Sequence, residues 1–268
     1  MKRSQDEGTL MLKTRHASGG RPLDRHALES WRRSPRGRRL LQIESQELAR
    51  FLPDVFGRHV LQIGSWGSGS ALIASAGTLH HAVLGTAGDS AVAAVVDPQA
   101  LPLPAKSVDA IVLPHTLEFS PSPHDVLREV DRVLNDRGRL FVLGFSPWGA
   151  WSWRARLGLR HRAFPRGARF YSAGRVHDWL ELLGFDVTEV RRYSVGFPWL
   201  ASRAVGEPWS PASLLAPLSE AYLICARKRV LPMNFVGRVQ RAQVKPLVGV
   251  GLPAAQRGMS QNESGTTV

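Results

Sequence analysis

A cluster of glycines, two acids and a histidine mark the places where this chain can do chemistry. Gly64, Gly67 and Gly69 crowd the segment Gly64-Ser-Trp66-Gly67-Ser-Gly69. Glycine tolerates tight turns, and without a Cβ it lets backbone come close to a ligand. Asp97 opens a proline-rich stretch that ends at Pro104. His115 and Glu118 follow an apolar run. A histidine with its ordinary pKa of about 6.5 can take a proton from an incoming nucleophile or position it. It can equally pack or hydrogen-bond its own loop, and Glu118 has the same structural alternative. Trp148, Trp151 and Trp153, with Arg154 and Arg156 close by, can form a lid over an anionic or aromatic acceptor, meet a membrane interface, or simply pack. Other chemistries lack their motifs. There is no Walker loop, no Gly-x-Ser-x-Gly elbow, no paired metal-ligand motif and no Cys/His cluster with zinc spacing.

These residues need a scaffold, and the pattern around them predicts one. Leu40 to Phe51 forms an amphipathic helix leading into a strand from Arg58 to Gly64. The glycine segment follows, then a small-residue helix from Ser70 to about Gly77. Val108 to Leu113 is a short, β-branched apolar run, as a strand buried on both faces should be. Val126, Leu127, Val130, Val133 and Leu134 recur at helical spacing, and Gly138 is placed to stop that helix. Arg128, Glu129 and Arg132 read as surface pairs on it. Gly138 to Gly144 is a fifth strand. Ser172 to Leu183 is a helix with Ser172 as N-cap and Gly184 as its stop. Phe185 to Tyr193 and Ser219 to Arg227 are the last two strands. Alternating strands and helices argue for a parallel sheet with crossover helices. Ligands of such sheets bind beyond the carboxyl ends of the strands, the side that carries the glycine loop, His115, Glu118 and the Trp/Arg segment.

In this order an acid at 97, a Leu-Pro-Leu-Pro loop, a Val-Asp strand, a Thr-Leu-Glu end and the helix Glu129-Val-Asp-Arg132-Val-Leu resemble the second half of the class I S-adenosylmethionine-dependent methyltransferases of the type-11 kind. The resemblance spans roughly residues 41 to 200. It implies an α/β, Rossmann-like sheet of seven strands, mostly parallel with an antiparallel last strand. It implies S-adenosyl-L-methionine as cofactor, held by Gln62, Gly64, Trp66, Gly67, Gly69, Asp97, Leu113 and Pro114. It places Asp97 near the adenine amino group, and Glu118, Trp148, Trp151 and Trp153 on the acceptor side. The chain departs from the family at three points. Gln62 stands where an acid is usual, and His81-Ala-Val-Leu-Gly85-Thr86 ends without the acid that holds the ribose. Asp89, slightly later, is the candidate to substitute for it. Pro98 follows Asp97 and has no N–H to offer.

Composition bounds the rest. A chain of 268 residues with one cysteine, Cys225 in an apolar run, is sized for one α/β domain and cannot form an internal disulfide. No apolar run is long enough to span a bilayer, and the charged start lacks a signal-peptide core, so a cytoplasmic protein is expected. The net charge of +13 is carried by the ends. Residues 1–40 contribute +7 and residues 227–268 contribute +6, leaving the middle neutral. The expected layout is a basic, disordered arm over 1–38, a methyltransferase-like domain over 39–229 with an insertion at 146–170, and a basic, disordered tail over 230–268. The arms are either solvated or make a weak contact with nucleic acid or an anionic membrane. Methyl transfer to a small-molecule acceptor is the leading function, with His115 its candidate catalytic residue. A non-catalytic methyltransferase-like binding or scaffold protein is the first rival, and an RNA or DNA methyltransferase the second.

Overall fold

Runs of β-branched and apolar residues build the sheet. Its strands are β1 (Phe56–Ile63), β2 (Gly77–Gly85), β3 (Ala94–Val95), β4 (Val108–Pro114), β5 (Leu134–Phe145), β6 (Phe185–Tyr193), β7 (Ser202–Ala204) and β8 (Ala221–Lys228). They lie in the order β3-β2-β1-β4-β5-β8-β6-β7. β1 to β5 are parallel, and β8 runs antiparallel between β5 and β6. The seven expected strands are therefore present with the expected antiparallel last one. The short β7 adds an eighth beyond β6. The computed structural model describes residues 31–86, 89, 92–149, 168–195, 202–204 and 219–229. The chain divides into two units, Met1–Leu231 and Pro232–Val268, and the described residues belong to the first.

Alternate side chains leave opposite faces of a strand, so the sheet has two cores. Val60, Ala110, Val112, Phe141, Leu143 and Leu223 pack on one face with Leu40 and Leu48 of α1 (Pro35–Leu48) and with Trp31, Leu72 and Ile73. Leu61, Ile111, Leu113, Leu140, Val142 and Ile224 pack on the other. They meet Val126, Leu127, Val130 and Val133 of α3 (Pro123–Val133), and Val176 and Leu180 of α4 (Ala173–Leu182). A single turn of helix, α2 (Thr116–Phe119), precedes α3. Cys225 is buried in β8, and burial pushes its thiol up to about 12, so it is an inert core residue.

Local signals explain where helices start and stop. The Ser34 hydroxyl accepts from the Gly37 N–H and Pro35 follows in the first turn, so α1 begins inside the segment expected to be an arm. The boundary expected at 38 thus falls within α1, and Trp31 before it is 6% exposed. The Ser172 hydroxyl caps α4, and Gly184, at φ +84°, lets the chain turn out of it. The helix expected from Ser70 to Gly77 is absent. Three short turns stand there, closed by Ala71 N–H to Ser68 O, Ile73 N–H to Ser70 O and Ala76 N–H to Ile73 O. Small residues give that segment no apolar stripe, and its two large side chains, Leu72 and Ile73, both plug directly into the core. Gly138 does not stop a helix either. α3 ends at Val133, because Leu134 is already extended. Gly138 lies within β5, in the irregular stretch where the register jumps from Val108↔Leu134 to Ala110↔Arg139.

Glu129 and Arg132 are more than surface pairs. Glu129 accepts the Leu101 N–H at 2.7 Å, and Arg132 donates to the carbonyls of Leu101 and Leu103 at 3.1 and 2.9 Å. The helix motif thereby grips the proline-rich loop that follows Asp97. Arg128 does pair on the surface, with Asp125. Asp109 accepts from the N–H groups of Arg58 and His59 and from Asn135, tying the start of β1 to β4 and β5.

Candidate functional site

The carboxyl ends of four parallel strands lie level. Ile63 pairs with Leu84, Gln62 with Val112, and Pro114 with Leu143. The loops after β1, β2, β4 and β5 therefore emerge along one edge, where an open α/β sheet takes its ligand.

The loop after β1 is set by its glycines. Gly64, Gly67 and Gly69 have φ of +107°, +85° and +52°, a region that side chains with a Cβ avoid. A Cβ on Gly64 would lie 2.8 Å from the Thr116 hydroxyl, which itself donates to Ile63 O. The buried Gln62 amide donates to the carbonyls of Gly64 and Trp66, both at 2.9 Å. An ionised acid could not make those bonds, which accounts physically for glutamine at this position. Arg32 supports the same loop from outside, donating to Ser65 O at 3.2 Å.

The loops after β2 and β3 carry the two aspartates. The Asp89 carboxylate accepts the Thr86 N–H at 2.7 Å. It thus brings a negative charge to the end of β2, where the family's acid is missing. Asp97 is exposed, and its Oδ1 accepts the Gln99 N–H at 2.9 Å. Leu113 and Pro114 are buried at the end of β4.

His115 follows with a left-handed backbone, φ +54°, unusual for a residue with a side chain. Its imidazole is 1% exposed. Nε2 lies 2.8 Å from Glu44 Oε1, and Nδ1 lies 3.6 Å from Glu118 Oε1. The second distance is too long for a hydrogen bond but short for charge attraction. The ring stacks on Phe145 with centroids 3.9 Å apart, and the Trp66 ring is 4.4 Å away. Burial alone would depress the imidazole pKa. The Glu44 carboxylate, with Glu118 behind it, more than reverses that and lifts it to about 9. The two acids on either side of His115 thus favour its charged form over the neutral ring. Glu118 also accepts the Phe145 N–H at 2.7 Å.

The structure brings Gln62, Gly64, Trp66, Gly67, Gly69, Leu113, Pro114, His115 and Glu118 to this edge, and puts Asp97 on the loop after β3. The Trp66 side chain is 2% exposed, with Nε1 donating to Glu44 Oε2 at 2.6 Å. Trp148 is 52% exposed; Trp151 and Trp153 lie outside the described residues. Glu44 is the residue that sequence reasoning missed. It is fully buried in α1 and joins Trp66, His115 and the Tyr193 hydroxyl, which lies 3.3 Å away. Burial, then Glu44, pushes Tyr193 well above its ordinary value, so the hydroxyl stays a donor. The signal was a glutamate on the same helical stripe as Leu40 and Leu48. Among the described residues, His177, Asp178 and Glu181 form a group close enough to share an ion. Glu181 stands four residues after His177 and three after Asp178 on α4, spacings at which helical side chains meet without one.

Sheet order, glycine loop and level strand ends define a class. The chain has the fold of the class I S-adenosylmethionine-dependent methyltransferases. A profile of the methyltransferase domain matches residues 71–142. The chain is 31% identical over 231 residues to the uncharacterized protein YafS of Escherichia coli K12, covering 86% of this chain and 93% of that protein. It is 33% identical over 178 residues to the uncharacterized protein Rv2003c of Mycobacterium tuberculosis, of which it spans 61%. A methyltransferase from Thermotoga maritima, described as a possible histamine N-methyltransferase, has the same fold at a TM-score of 0.55 and 21% identity, covering 75% of this chain and 94% of that one. A methyltransferase from Archaeoglobus fulgidus matches at 0.52 and 16%, covering 75% and 97%. Among the described residues no helix is long and apolar enough to cross a membrane.

Proposed function

We propose that this protein transfers the methyl group of S-adenosylmethionine to a small-molecule acceptor bound beyond the carboxyl ends of β1, β4 and β5. The observation that carries the reading is the glycine loop, with Gly64, Gly67 and Gly69 at positive φ and Gln62 bracing the carbonyls of Gly64 and Trp66. The residues present fit the cofactor. A Cβ on Gly69 would meet nothing within 4 Å, so that backbone faces free space. Asp89 supplies the carboxylate expected at the end of β2, and Asp97 is exposed on the loop that Glu129 and Arg132 steady. Gly64 to Gly69, Asp89, Asp97 and the backbone at Leu113 and Pro114 would hold the cofactor.

Bound there, S-adenosylmethionine supplies a methyl group already activated on a sulfonium. The chain has to align the acceptor and exclude water, and alignment alone is worth roughly 7–11 kcal/mol. His115, buried between two acids that favour its charged form, suits holding the end of β4 rather than taking a proton. The acceptor's own proton then leaves to water or through residues on the acceptor side, where Trp148 is exposed. The basic arms add a salt-sensitive contact to nucleic acid or anionic lipid. The rival scaffold reading draws on Gln62 standing where an acid is usual, on the missing acid at the end of β2, and on Pro98 after Asp97.

Calorimetric titration with S-adenosylmethionine and S-adenosylhomocysteine tests the proposal. Saturable binding of both, weakened when Gly64 is changed to valine in a protein that still unfolds cooperatively, is the expected result. A wild-type protein that binds neither is the scaffold.

A further inference from the structure

Glu44 reaches the cofactor loop from α1, a helix outside both the glycine motif and the matched domain span. One carboxylate oxygen accepts the Trp66 indole N–H at 2.6 Å, and the other lies 2.8 Å from His115 Nε2. Arg32, just before the same helix, donates to Ser65 O. Residues 64–66 are thus gripped from β1 by Gln62 and from the N-terminal segment by Arg32 and Glu44. Packing does not require a carboxylate there. Leu40 and Leu48 flank Glu44 on the same buried stripe, and an apolar residue would fill the space without the cost of desolvating a charge. What the carboxylate adds is direction. It fixes the Trp66 ring and the His115 ring at once, and with them two of the strand ends that meet the ligand.

We infer that Glu44 is a positioning residue for the cofactor loop: by holding Trp66 and, through His115, the end of β4, it keeps Gly64 to Gly69 in the form that accepts S-adenosylmethionine. The inference rests on the reading that this loop binds that cofactor.

The test uses the full chain, with S-adenosylhomocysteine as the calorimetric probe. Wild type, Glu44→Gln, Trp66→Phe and the double variant are compared. The Trp66 indole N–H resonance, identified by its loss in Trp66→Phe, reports the contact separately. Each single change should weaken binding about tenfold, the usual scale of one lost buried hydrogen bond. Glu44→Gln leaves one acceptor oxygen for the Trp66, His115 and Tyr193 donors, so it weakens the link that Trp66→Phe removes, and the double variant should lose little more than the more damaging single one. The indole resonance should shift in Glu44→Gln. A Glu44→Gln protein with a shifted indole resonance and wild-type affinity overturns the inference and leaves the cofactor reading standing. Fully additive losses in the double variant also overturn it. If wild type binds no S-adenosylhomocysteine while the resonance still responds to Glu44→Gln, the cofactor reading fails and takes the inference with it. Should Glu44→Gln not fold, Trp66→Phe decides: an unchanged dissociation constant refutes the idea, and a tenfold loss supports it.

Discussion

His115 shows how much one buried residue can depend on others distant in the chain. Its partner Glu44 is 71 positions away, and Tyr193 is 149 positions from that glutamate. Periodicity places Glu44 on the inner face of a helix, but it cannot say which polar group waits there, so the network was not legible from sequence. The glycines were, because their need for left-handed backbone is local. The network has a pH signature. His115 has a folded pKa of about 9, above its ordinary 6.5. Its contribution to stability is therefore complete below about pH 6.5 and is lost as pH rises through about 9, on the order of 3 kcal/mol in all. The denaturant midpoint of wild type should fall between pH 7 and 10, while that of His115→Gln starts lower and stays nearly flat across the same range. Parallel curves for the two proteins would show that no raised His115 pKa lies within that range.

Elements with their own chemistry were readable; elements that exist only through tertiary contacts were not. β4 is a β-branched run and α4 has a serine cap and a glycine stop, and both stand where expected. The segment after the glycine loop has neither stripe nor cap, and it folds as turns around Leu72 and Ile73. Leu134 continues the helical spacing of α3 yet belongs to β5, because its pairing with Val108 outweighs one more helical residue. The Glu129–Arg132 pair was read as solvated, since sequence does not reveal that the loop at 101–104 crosses that helix. Glu129→Ala should release the Leu101 N–H, raising its hydrogen-exchange rate about tenfold or more while amides in β4 keep their protection. Equal protection of Leu101 in both proteins would mean that the loop is held by its prolines and by Leu101 packing alone.

At the scale of the whole molecule all +13 units of net charge lie outside residues 41–226, and part of that excess sits within the fold, on Arg36, Arg38 and Arg39 of α1 and on Arg227 and Lys228 of β8. The sheet has its own asymmetry. β8 is among the last parts of the chain, yet seven residue pairs join it to β5 and eight join it to β6. It is the strand that connects β6 and β7 to the rest. A chain ending at Glu220 would lose that central strand and present two long raw edges, β5 and β6, each lined with unsatisfied N–H and C=O groups. Such edges template pairing with other chains. The truncated protein is accordingly expected to collect in the insoluble fraction, whereas a chain ending at Leu231 should remain in solution; two equally soluble products would show that the sheet closes without β8. Premature termination in this gene would then yield an aggregation hazard rather than a merely inactive fragment.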